Sequence, residues 1–148
     1  MRTLCLIFFS IVLVVHVPHV IGSEWVYLGT DDVIGVEWSY DLETLDELQK
    51  GMIKVWVKKE YSDEARRKLI TMMISKGYNA KRYYTLSHAL NLFELNCVTR
   101  ENRITSNIVY STHGGILHKS TVEQQPSDGW EPIYPDSMAE SLYMAVCP

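Results

Sequence analysis

Between residues 53 and 58 the chain alternates strictly, with Ile53, Val55 and Val57 set against Lys54, Trp56 and Lys58. A period of two with one apolar and one polar side predicts an antiparallel strand, one face in a core and one face wet. Phe93, Leu95 and Cys97 alternate in the same way with Glu94 and Asn96, and predict a central strand over roughly 87–97. Shorter runs predict strands at Trp25–Gly29, at Val33–Trp38 with Ile34, Val36 and Trp38 on one side, at Ile104–Ser111 and at Ile116–Val122. Thr112-His113-Gly114-Gly115 carries a hairpin signal, because glycine supplies positive φ without steric cost. The strand ending at Cys97 and the two that follow therefore read as an up-and-down meander.

The period changes twice. Ala65, Leu69, Met72 and Met73 fall on one stripe of a helix, Ser62 stands where an N-cap belongs, Asp63 and Glu64 suit the positive end of the helix dipole, and Gly77 suits its exit. Ser137-Met138-Ala139-Glu140 has the S-x-x-E capping form, followed by Leu142 and Val146 at helical spacing. The polar stretches Asp41–Lys50 and Glu123–Asp136 read as loops, the second holding Trp130 near a sheet edge. The expected fold class is α+β: a small antiparallel β-sheet of about five or six strands, one mid-chain helix, a short C-terminal helix and one disulfide.

The first residues change the picture of where this fold resides. Arg2 precedes an apolar run from Leu4 to Val15, broken only by Ser10, and Pro18 and Val20-Ile21-Gly22-Ser23 follow. Charge, apolar run and small-residue exit predict a signal peptide over 1–23 and a mature domain over 24–148, periplasmic or secreted. The run is short for a membrane span of about 20 residues. Cys5 lies inside the run and not at its exit, so no lipidation site and no stable membrane anchor are expected. Two of the three cysteines then remain, Cys97 and Cys147, and in an oxidising compartment the simplest expectation is one disulfide between them. Without Arg2 the 14 basic residues become 13 against 18 acidic, a net charge of −5. A mildly acidic chain with no basic stripe argues against nucleic acid as a partner.

Candidate chemistry is sparse. His113 and His118 flank the hairpin without a third ligand, so no metal is expected, and no cofactor motif is present. Ser111-Thr112-His113 places a hydroxyl beside an imidazole without an orienting acid or G-x-S-x-G frame, so no catalytic residue is assigned. Nine tyrosines and four tryptophans offer rigid contact area. Trp56, Tyr83, Tyr84 and Tyr134, in loops or on the polar side of a strand, are the candidate partner-binding residues. For Trp56 a place in the second face of the sheet, under the helices, is the competing assignment.

Trp25, Val55-Trp56-Val57-Lys58, Phe93-Glu94-Leu95-Asn96-Cys97 with Arg100 and Arg103, Tyr110, Gly114-Gly115, and Trp130-Glu131-Pro132-Ile133 followed by Pro135-Asp136-Ser137 and Cys147 together resemble the bacterial surface-adhesin protein E family. The resemblance implies a small antiparallel sheet with flanking helix and disulfide, in a secreted or surface-exposed binding protein that can be dimeric. The resulting expectation is a non-enzymatic protein, periplasmic or secreted, that contacts a protein partner at the cell envelope, with homodimer formation open. The alternative is a structural or accessory subunit of an envelope assembly.

Overall fold

The computed structural model describes residues 22–121 and 129–148. The expected signal peptide lies outside the described residues except for Gly22 and Ser23. The chain forms one sheet of eight strands: β1 (Trp25–Thr30), β2 (Glu37–Asp41), β3 (Asp46–Gln49), β4 (Met52–Glu60), β5 (Leu86–Asn96), β6 (Glu101–Ser111), β7 (Ile116–Thr121) and β8 (Glu131–Pro132). All the pairings are antiparallel, in the order β1-β2-β4-β5-β6-β7, with β3 on β4 and β8 on β6. Two helices complete it, α1 (Asp63–Ser75) and α2 (Met138–Val146).

This is a mostly β architecture, not the expected α+β fold with about five or six strands. The two additional strands come from stretches read as loops. β3 is exposed along its whole length, so no apolar alternation announces it. It exists because the tight turn through Gly51, at φ 77°, folds it back onto β4. β8 is two residues long and includes Pro132. A proline fits there because, among the described residues, β8 pairs with β6 alone and its other side needs no donor. The second strand also shifts along the chain: Val36 is buried ahead of β2, which runs on to Asp41.

Alternation divides the sheet into two faces. Ile53, Val55 and Val57 of β4 and Phe93 and Leu95 of β5 are all buried on one side. Tyr40, Ile133 and Leu142 of α2 close over them as the larger core. Each such side chain contributes roughly 1.5–3 kcal/mol on full burial. Farther along the same face Leu86, Ala89 and Val109 form a second cluster, with Leu69 of α1 against it. Both helices therefore lie on one face of the sheet. The Ser62 hydroxyl accepts from Ala65 N at 3.1 Å and caps α1, and Ser137 accepts from Glu140 N at 3.1 Å and caps α2. Glu140 reaches back to Asp136 N at 2.9 Å, one residue before the cap. Cys97, just past β5, is bonded to Cys147 at the end of α2, with a Cα–Cα distance of 5.6 Å.

Candidate functional site: an open sheet face

The opposite face is built by the other half of each alternation. Trp56 of β4 pairs with Leu92 of β5, Lys58 with Leu90, and Leu90 in turn with Ile108 of β6. Their side chains all point away from the two helices. The result is a half-buried apolar row of Trp56, Leu90, Leu92 and Ile108 across the middle of the sheet, with no helix over it among the described residues. His88 and Tyr110, the next pair along, stack with ring centroids 4.7 Å apart. Burial lowers the His88 pKa from its ordinary value, outweighing the pull of Glu60 in the other direction. At one side Lys58 Nζ lies 4.8 Å from the centre of the Trp25 ring and 2.9 Å from Glu60. At the other, Arg103 binds Glu94 Oε2 through Nη2 at 2.6 Å and lies over the Trp130 ring at 4.6 Å.

The four aromatics expected to bind a partner are not brought together. Trp56 lies on this open face, and its backbone N–H donates to Thr44 Oγ1 at 3.2 Å. Tyr83 packs against the second core cluster, on the helix side. Tyr84 beside it is 58% exposed, and Tyr134 in the turn before α2 is 64% exposed. Trp130 stacks under Arg103, directly ahead of β8. Leu90 and Leu92 were missed by alternation because the run from Ala89 to Phe93 is apolar at almost every position, whereas Ile108 falls on one side of its strand by alternation, with Ser106 and Tyr110. A continuous apolar run means that both faces carry side chains that avoid water. That was the signal available for the open face.

The hairpin residues resolve into local structure. Ser111 Oγ accepts from His113 N at 3.3 Å and from Gly115 N at 3.0 Å, which commits it to the turn. Thr112 Oγ1 lies 3.0 Å from His113 Nδ1. Among the described residues no three of His, Cys, Asp and Glu converge as a metal site.

Against this geometry the comparison with protein families is decisive. The surface-adhesin protein E family matches residues 25–148, which takes in every strand and helix described above. The chain belongs to the surface-adhesin protein E family. No curated protein and no solved structure matches it. Membership in a family of surface adhesins points to an exported or surface protein and to a non-enzymatic role. Within this adhesin-family chain the open face, more than the scattered tyrosines, gathers apolar side chains on adjacent central strands.

Proposed function

We propose that this protein is an exported binding protein of the cell envelope that docks a protein partner on its open sheet face. The observation that carries the reading is the row Trp56, Leu90, Leu92 and Ile108, apolar and half-exposed on the central strands. Contiguous apolar surface rimmed by charge is the usual form of a protein contact, and buried tryptophans dominate the energetics of such contacts. The rim also selects the partner. Lys58 is paired with Glu60 and Arg103 with Glu94, while Lys54 and Lys119, on the same face, have no carboxylate within ion-pair distance among the described residues. Two copies meeting face to face would bring these lysines together. A partner with acidic groups around an apolar patch complements them.

The test compares immobilised wild-type protein with the variant Leu90→Asp/Ile108→Asp and with Tyr134→Ala, each exposed to envelope extract. The reading requires a partner retained by wild type and Tyr134→Ala and lost with the face variant, then reproduced with the purified partner by calorimetry. Equal retention by the face variant removes it. A second reading, an accessory subunit of an envelope assembly, draws support from β7, which pairs on one side only among the described residues. Recovery of further copies of the same chain as the sole retained species favours that reading.

A further inference from the structure

The second core cluster is not closed. Between α1 and the sheet lies a cavity of about 290 Å³, whose apolar wall is formed in part by Leu69 and Met73 of α1 with Ala89 and Val109 of the sheet. Its remaining lining is polar, in a position where alternation places core. Asn91 stands on the buried face between Ala89 and Phe93, directly opposite Asn107 of β6. Lys59 enters from β4, with Nζ 4.0 Å from the centre of the Trp38 ring. Tyr61 and His118 complete the polar side.

These groups are unusually under-used. Asn91 is 3% exposed and lines the cavity. Asn107 Oδ1 is buried without a partner. Lys59 has a ring for company but no carboxylate within ion-pair distance among the described residues, and none of the residues lining the cavity is acidic. A buried polar atom left unbonded costs about 1–3 kcal/mol, so Asn107 Oδ1, with the Asn91 amide opposite it and a cation beside them, leaves hydrogen-bonding capacity at this spot. The apolar wall and the polar end together describe an amphipathic guest. The opening points the same way: Tyr83 and Met73 also border a wider depression of about 690 Å³ that carries Lys81 and Arg82. Cations at a mouth raise the local concentration of anions.

We propose that this cavity binds a small organic carboxylate with an apolar tail, its head group held by the Lys59 ammonium and the Asn91 amide and its tail against Leu69, Met73 and Val109. This site is on the opposite side of the sheet from the proposed partner face and does not depend on it.

The experiment is a titration of the isotope-labelled protein, read by amide NMR, with three six-carbon probes that share a tail: hexanoate, hexylamine and hexanol. The expected result is saturable shifts from hexanoate on α1 and on residues 86–92, with hexylamine silent there and hexanol much weaker. Lys59→Met, which keeps the stem and removes the charge, weakens hexanoate binding by about tenfold or more, while Lys59→Arg retains it. Absence of saturable hexanoate shifts in the wild type overturns the proposal, as does an equal response to hexylamine or unchanged hexanoate binding in Lys59→Met. Should Lys59→Met fail to fold, Leu69→Phe decides in its place. Its ring fills the cavity and leaves Lys59 intact, so hexanoate binding must be lost, and retained binding overturns the proposal.

Discussion

The phenol of Tyr143 donates to the carbonyl oxygen of Cys97 at 3.1 Å, so α2 is tied to the end of β5 by a hydrogen bond as well as by the disulfide. Arg100 lies over the same Tyr143 ring at 4.9 Å and bonds Glu140 at 2.9 Å. A helix of nine residues is marginal alone, and here it is fastened at three points. Cys147→Ser is expected to cost roughly 2–5 kcal/mol, measured by chemical denaturation. The additional variant Tyr143→Phe costs about a further 1 kcal/mol. Additivity of the two would show that the hydrogen bond persists without the disulfide. Strong coupling would show that the bond positions it.

Tyr83 and Tyr84 are neighbours with different surroundings, and single variants separate them. Tyr83→Ala removes a ring packed on Leu86, Ala89 and Val109 and is expected to cost about 1–3 kcal/mol. Tyr84→Ala changes an exposed side chain and stays within about 0.5 kcal/mol. Equal thermal shifts for the two would contradict this placement.

Stability above neutral pH depends on Lys59. Burial lowers its pKa from 10.5 to about 8, and Asp31 only partly opposes this. Between those values the unfolded chain binds a proton that the folded chain has released, so stability rises with pH across the window, by about 3 kcal/mol at most. Tyr61 has its pKa raised above 10.0, first by burial, then by Asp31 and Tyr83. Above that pH the unfolded chain loses the phenolic proton first, and stability falls. Denaturation midpoints should therefore rise from pH 8 toward pH 10 and then decline. Lys59→Met should abolish the rise and keep the decline.

Asn91→Leu follows from the same cavity. An amide in a buried position is replaced by an apolar group of similar size, which should stabilise the unliganded protein by about 1–2 kcal/mol. A lower melting temperature would mean that Asn91 has a hydrogen-bond role within the fold. Gain of stability with loss of hexanoate binding would mark the residue as kept for a ligand at the expense of the core.

How far these features were legible in the sequence depended on whether a single face was apolar. β4 was plain because Ile53, Val55 and Val57 alternate with residues that tolerate water, and the caps at Ser62 and Ser137 carry their geometry in their own side chains. β3 was invisible because its four residues are all exposed, and the pairing that defines it comes from β4. Trp56 stood out as a tryptophan among lysines, yet its cross-strand partner Leu92, and the Leu90–Ile108 pair beside it, come from strands distant in sequence. Lys59 and Asn91 were passed over for a related reason. A lysine at a strand end and an asparagine inside an apolar run look like solvated residues until α1 is placed above them.

The same polar belt has a mechanical consequence. Asn91, Asn107 and Lys59 separate the disulfide-pinned core under α2 from the smaller one under α1, and no buried residue belongs to both. Dispersion contacts across such a belt are few, so the two clusters are expected to open as separate cooperative units on one sheet. Amide hydrogen exchange should show α1 and the segment at 81–85 opening at a lower free energy than β4, β5 and α2, with hexanoate slowing the first group alone. In that case α1 can breathe to admit or release a guest while the opposite face, built on the rigid strands, keeps its shape for a partner.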